Sequence, residues 1–164
     1  MTRRALTIVI GLLLASPVPA QDIRAFEPGS LAAIEAAHAG RPFILACWSI
    51  TCTHCQEEFA LFADLRRRYP DLEIVLVSTD SPDESDAIAL TLKRYHLESI
   101  DSWVFADDFA ERLRFEIDRQ WQGELPRAYL YGADRTVYGI SGRLDARDVT
   151  RWFERQRQFT AKDK

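Results

Sequence analysis

Cysteine is scarce in this chain. There are three, Cys47, Cys52 and Cys55, and all fall within nine residues. A disulfide scaffold uses an even number of cysteines spread along the chain, so stapling does not explain them and chemistry or metal binding does. A second C-x-x-C and an H-x₃₋₅-H pair are both missing, which removes a four-ligand structural zinc site. Gln56 rather than histidine follows Cys55, which removes covalent haem attachment. Methionine occurs once, as Met1, so no Met-rich metal-binding segment exists. No apolar run reaches the roughly 20 residues that a membrane span needs. Positive charge is not in excess: 21 Lys and Arg face 25 Asp and Glu, for a formal net charge of −4. No basic face is interleaved with aromatics, and Arg66-Arg67-Arg68 reads as a solvated helix end. Nucleic acid is therefore not an expected partner.

What is present suits one globular domain: 164 residues, 47 % of them hydrophobic and 28 % charged. The first residues stand apart. Arg3 and Arg4 form a basic head, Ala5 to Ala15 an apolar run, and Val18-Pro19-Ala20 a small-residue end before Gln21. That pattern is a secretory signal, so residues 1–20 are read as a signal peptide and 21–164 as the domain. Thr2-Arg3-Arg4 faintly suggests a twin-arginine signal, and either route leads out of the cytoplasm. No cysteine follows the run, which argues against a lipoprotein anchor. Cleavage would remove Arg3 and Arg4 and no acid, taking the net charge from −4 to −6. The expected location is the periplasm, with the domain released or held there by an uncut N-terminal segment.

Hydrophobic patterning then alternates strand and helix. Ser30 is expected to cap a helix over Leu31 to Ala39, ended by Gly40 and Pro42. Phe43 to Trp48 reads as a buried strand, followed by a helix from near Cys52 to Pro70 with Phe59, Leu61, Phe62 and Leu65 on its period. Leu72 to Val77 is a second buried strand. Ser81-Pro82-Asp83-Glu84 starts a helix running to about His96. Trp103 to Phe105 is a brief strand, and Asp107 caps a short helix through Phe115. Arg127 to Tyr131 and Thr136 to Ile140 make a hairpin, and Asp145 caps a last amphipathic helix carrying Val149, Trp152 and Phe153. The expected class is α/β, a central mixed sheet with helices on both faces.

Cys52-Thr53-His54-Cys55 opens the second helix. Thiols at the first turn face free backbone N–H groups and the positive end of the helix dipole, which favours thiolate and marks Cys52 as an attacking nucleophile. Cys55, one turn deeper, is placed to resolve the mixed disulfide. A purely structural bridge this short would constrain almost nothing.

Phe43-Ile44-Leu45-Ala46-Cys47-Trp48-Ser49-Ile50-Thr51-Cys52-Thr53-His54-Cys55-Gln56-Glu57-Glu58 resembles the strand–CxxC–helix segment of the TlpA/ResA-like branch of the thioredoxin superfamily. Leu125-Pro126-Arg127-Ala128-Tyr129-Leu130-Tyr131 resembles its cis-proline segment, and Gly132 to Tyr138 the hairpin behind it. Residues 83–115 resemble the helix–strand–helix insertion that this branch carries before the cis-proline strand. The likeness covers roughly residues 30–157. It implies a thioredoxin fold and a thiol–disulfide oxidoreductase whose direction, reductase or oxidase, is open. It also implies that Cys52 is the nucleophile, Cys55 the resolving thiol and Pro126 a cis-proline exposing the Leu125 backbone to a bound polypeptide. No cofactor and no metal belong to this reading. The partners it implies are exported proteins with thiols or disulfides and a membrane or periplasmic redox donor.

Three positions depart from that pattern. Thr51 stands where a tryptophan usually precedes the first cysteine. Ala46 and Cys47 occupy the region of the buried aspartate of classical thioredoxins, so a proton acceptor for Cys55 is sought elsewhere. Glu58 is the candidate, against an ordinary reading as an exposed helix acid. His54 resembles the histidine of strongly oxidising periplasmic enzymes, where an imidazole beside the thiolate stabilises the reduced form; against this it is a solvent-facing bystander. Cys47 is read as a small core hydrophobe, Trp48 as core, and His38 and His96 as surface residues. Two other functions compete: a periplasmic Cu(I)-binding and copper-delivery module on the same cysteines, and a thiol peroxidase suggested by Ser49-x-x-Cys52. Leu45 stands where a peroxidase of that type carries proline.

Overall fold

The computed structural model describes residues 22–162; the N-terminal segment read as a signal lies outside them. The elements in chain order are β1 (Ile23–Phe26), α1 (Ser30–Ala37), β2 (Phe43–Trp48), α2 (Thr53–Arg68), β3 (Glu73–Ser78), a 3₁₀ turn (Pro82–Glu84), α3 (Ser85–Arg94), β4 (Asp101–Phe105), α4 (Ala110–Ile117), β5 (Arg127–Tyr131), β6 (Val137–Ser141) and α5 (Ala146–Lys162). The strands form one mixed sheet in the order β1-β4-β3-β2-β5-β6. β1, β4, β3 and β2 run parallel, and β5 and β6 are antiparallel additions beyond β2.

β2 is a continuous apolar run because the sheet is covered on both faces. Ile44, Ala46 and Trp48 point to a core built with Phe59, Phe62 and Leu65 of α2, Ile88 and Leu92 of α3, and Val149, Trp152 and Phe153 of α5. Phe43, Leu45 and Cys47 point to the opposite core, closed by Leu31 and Ile34 of α1 and Leu113 and Ile117 of α4. The period of two along the strand sorts neighbouring side chains into separate cores. Cys47 and Cys55 therefore lie on opposite faces, and Cys47 is the buried small hydrophobe expected of it.

One strand was not anticipated, and three local expectations change. β1 carried no recognisable pattern, yet its four residues pair with β4 across the chain, Ile23 opposite Ser102. Ser30 does not cap α1: Gly29 holds that position at φ +94°, and the Ser30 hydroxyl accepts from the Glu27 N–H at 2.9 Å. Asp107 likewise sits short of α4, where its carboxylate accepts from the Phe109 N–H and pairs with Arg112. His38 is not a surface residue. Its Nδ1 lies 2.8 Å from the Ile34 carbonyl and its ring stacks on Phe43 at 4.5 Å between centroids. The Ser81 cap forms as read, with a capping box closed by Glu84, and Asp145 accepts from the Arg147 and Asp148 N–H groups at the start of α5.

Candidate active site at the start of helix α2

The site lies where β2 ends and α2 begins. Cys52 is the N-cap residue of α2, and its sulfur accepts from the Cys55 N–H at 3.2 Å. Cys52 and Cys55 are joined by a disulfide, with Cα atoms 5.3 Å apart. Cys52 is half-buried and Cys55 is 1 % exposed. One residue of the bridge is thus partly open and the other sheltered, and the partly open one stands at the positive end of a 16-residue helix.

The segment that delivers Cys52 is a turn closed by the Cys52 N–H on the Ser49 carbonyl, at 3.0 Å. Asp80, just past the end of β3, holds this turn. Its carboxylate accepts from the Ser49 hydroxyl at 2.7 Å, the Ile50 N–H at 2.8 Å and the Ser78 hydroxyl at 2.5 Å. The Thr79 N–H closes onto the Trp48 carbonyl at 2.9 Å. From the other side Gln56 donates to the Ile50 carbonyl at 2.8 Å, and the Tyr95 hydroxyl donates to Gln56 at 3.3 Å. Asp80 belongs to no sequence motif. Its one signal was position, since polar residues at the carboxyl ends of parallel strands face the functional edge of an α/β sheet.

For Glu58 the exposed-acid alternative is removed. Far from an exposed helix acid, it is 4 % exposed. It follows Cys55 by three residues and precedes Phe62 by four, so it sits on the buried stripe of α2. Its carboxylate accepts from the backbone N–H of Leu144. Burial raises its pKa above the usual carboxylate value, against the Leu144 hydrogen bond and the Arg143 charge, which both lower it. The spacing Cys55-x-x-Glu58-Phe59-x-x-Phe62 already placed it on that stripe.

The Leu125–Pro126 peptide is cis. In the β2–β5 pairing Cys47 stands opposite Arg127, so Pro126 arrives beside the end of β2 and the turn leading to Cys52. Leu125, Ile50 and Cys52 form a half-buried apolar rim on the α2-side core. The Gly142 N–H donates to the Pro126 carbonyl at 2.8 Å. His54 is brought to Glu57 rather than to a sulfur: its Nδ1 lies 3.3 Å from the Glu57 carboxylate, which also pairs with Arg143 at 3.1 Å. Its side chain is 72 % exposed. His96 is exposed and apart from the site, and burial pushes the Cys47 thiol far up, leaving it protonated.

No family model matches the chain, and no curated protein is similar to it in sequence. Solved structures are similar in fold. A thiol:disulfide interchange protein of the thioredoxin family from Chlorobium tepidum matches at a TM-score of 0.61 and 14 % identity, over 74 % of this chain and 83 % of that one. A secreted disulfide oxidoreductase of Mycobacterium tuberculosis, described as homologous to DsbE of E. coli, matches at 0.58 and 18 %, over 73 % and 84 %. StoA from Bacillus subtilis matches at 0.51 and 16 %, over 70 % and 83 %. The chain has the thioredoxin-like fold of these thiol–disulfide oxidoreductases, with its bridged Cys-x-x-Cys pair at the head of α2. Among the described residues no group of three or more His, Cys, Asp or Glu side chains is arranged to hold a metal ion, so the copper reading gains no support. No helix among them is long and apolar enough to cross a membrane.

Proposed function

We propose that this chain is an exported thiol–disulfide oxidoreductase that exchanges disulfides with protein partners through Cys52 and Cys55. The observation that carries the reading is the asymmetry of the bridged pair, with one sulfur half-exposed at a helix start and the other buried behind it. In the reducing direction the Cys52 thiolate attacks a partner disulfide. One partner sulfur leaves as thiolate and takes up a proton from water, and a mixed disulfide joins Cys52 to the other. Cys55 gives its proton to Glu58 and attacks the Cys52 sulfur. The second partner sulfur leaves and takes up a proton, so the partner ends as a dithiol and the Cys pair as a disulfide. Run backwards, the same steps oxidise a partner.

Glu58 suits the acceptor role because it is buried one helical turn from Cys55 and its pKa is raised toward that of the thiol it would serve. Pro126, by the family resemblance, leaves the Leu125 backbone beside Cys52 free for an extended partner segment to pair with. His54, in the first turn, adds a weak, solvent-screened influence on the thiolate. Export rests on the basic head and apolar run of residues 3–15, and a periplasmic or membrane redox donor would reset the pair.

The test is catalysed reduction of insulin in the presence of dithiothreitol, with equilibration in glutathione buffers to obtain the potential. Turnover that disappears in Cys52→Ser supports the proposal, and wild-type protein no faster than dithiothreitol alone refutes it. A potential near about −270 mV assigns the reducing direction, and one near about −120 mV the oxidising direction.

A further inference from the structure

The residue after the cis-proline is an arginine whose side chain is turned back into the protein. The Arg127 side chain is 13 % exposed. Its Nη2 lies 2.7 Å from an Asp118 carboxylate oxygen and its Nε donates to the Tyr129 hydroxyl at 3.0 Å. Its Nη1 donates to the Ser141 hydroxyl and lies 3.5 Å from the Glu124 carboxylate. The ring is closed by the Tyr129 hydroxyl on Asp118 at 3.3 Å and the Ser141 hydroxyl on Glu124 at 2.7 Å. One planar fork thus holds two carboxylates, a phenol and a hydroxyl at once, a task that a lysine's point charge does not reproduce.

The two carboxylates mark the ends of one segment. Asp118 follows α4 and accepts from the Gln120 N–H at 2.8 Å, while its carbonyl takes the Trp121 N–H at 3.0 Å. Glu124 stands one residue before Leu125. Its carboxylate accepts from the Gln122 N–H at 3.1 Å, and its carbonyl takes the Trp121 indole N–H at 2.9 Å. Segment 118–125 is therefore folded on itself and pinned at both ends to the residue that follows Pro126. An independent feature of β6 agrees: a Cβ on Gly139 would come within 2.6 Å of Arg127 Nη2, so the neighbouring strand leaves room for the guanidinium.

We infer that Arg127 is a positioning residue that sets the Leu125 backbone for pairing with a polypeptide, and so favours protein disulfides over small-molecule ones. The inference rests on the thiol–disulfide reading above. The hydrogen bonds and ion pairs of Arg127 go to Tyr129, Ser141, Asp118 and Glu124, and none goes to Cys52 or Cys55. It acts on an extended partner, which needs the backbone donor and acceptor of Leu125 in register, and much less on a small disulfide that needs only Cys52.

The test uses the full chain, reduced, with insulin as the protein disulfide and glutathione disulfide as the small one. Arg127→Met is expected to lower kcat/KM for insulin at least tenfold more than the rate constant for glutathione disulfide, with the loss carried by KM. Arg127→Lys should recover only part of it, and Asp118→Asn should reproduce part of it. Should Arg127→Met fail to fold, Gly139→Ala displaces the same guanidinium without altering it, and the same selective loss is expected. Equal losses for both substrates, or a loss in kcat alone, would overturn the inference while leaving the exchange reading intact. Wild-type protein inactive toward both substrates would instead overturn the exchange reading itself, and this inference with it.

Discussion

The carboxylate of Glu58 on α2 accepts the backbone N–H of Leu144, 86 positions later in the chain. This single bond ties the helix that carries both cysteines to the loop between β6 and α5. The same loop supplies Arg143, which pairs with Glu57 on the outer side of α2, and Gly142, which fixes the carbonyl of Pro126. A buried acid beneath the cysteines is thus joined to both walls of the site.

The pH dependence of stability follows. The folded-state pKa of Glu58 is raised, so between the unfolded and folded pKa values the native state holds a proton that the unfolded state has lost. Its contribution is fully present below the unfolded value and is lost as pH rises through the folded one. Glu58→Gln keeps an oxygen for the Leu144 N–H and removes the titration. The expected outcome is a thermal midpoint with a flatter rise-to-fall over that window, equal to or above wild type on its alkaline side. In the same variant the resolution step should slow while alkylation of Cys52 stays fast. Parallel pH profiles for the two proteins would contradict this.

Asp80 gives a stability prediction. Removing its carboxylate takes the acceptor from the Ser78 hydroxyl and the Ile50 N–H, while the Ser49 hydroxyl keeps Thr51 Oγ1 at 3.0 Å. An unsatisfied buried group costs about 1–3 kcal/mol, so Asp80→Ala should lose roughly 2–4 kcal/mol once water reaches part of the site. Denaturant unfolding of the reduced protein measures it, and a loss under about 0.5 kcal/mol would show that Asp80 is not the clamp.

Cys47 should be inert and replaceable. It is 1 % exposed among Phe43, Leu45 and Tyr129 on the face away from the cysteine pair. In folded, reduced protein it should resist iodoacetamide. Cys47→Ala should leave insulin turnover unchanged, whereas Cys47→Ser should be destabilised by about 1–3 kcal/mol through its buried hydroxyl. Turnover lost in Cys47→Ala would make it a third working thiol.

For His54 the geometry narrows the expected effect. An imidazole that is 72 % exposed and engaged with Glu57 acts on the thiolate through solvent. Exposed ionic interactions contribute roughly 0.2–1 kcal/mol, which in a two-electron couple is about 5–20 mV. His54→Ala should move the potential negative by that amount, read in glutathione buffers. A shift beyond about 40 mV would mean that reduction brings the ring onto Cys52.

How much of this was legible depended on range. β2 and α2 could be read because an apolar run, a turn and a 3.6-residue period are local patterns, and the boundaries of β2 fell as expected. β1 could not, because Ile23-Arg24-Ala25-Phe26 becomes a strand only through β4, far along the chain. The cysteine pair announced itself by spacing, whereas Pro126 was recognisable as cis only through resemblance to a known family. Glu58 stood between two readings, proton acceptor and exposed helix acid, although its helical position beside Cys55 and Phe62 was enough to place it on the buried stripe. Asp80 lay in no motif, and Arg127 lay in the cis-proline segment with no role attached to it. Their importance lies in partners contributed by other strands and loops, which spacing along one segment does not reveal.

The most direct test of the account is to trap its intermediate. Full-length Cys55→Ser and Cys52→Ser proteins are each reduced and mixed with insulin, and adducts are mapped by mass spectrometry after acid quenching. A mixed disulfide between Cys52 and an insulin cysteine is expected in Cys55→Ser, stable because the resolving thiol is gone, and none in Cys52→Ser. An adduct on Cys55 in the Cys52→Ser protein, or none in either, would contradict Cys52 as the attacking thiol.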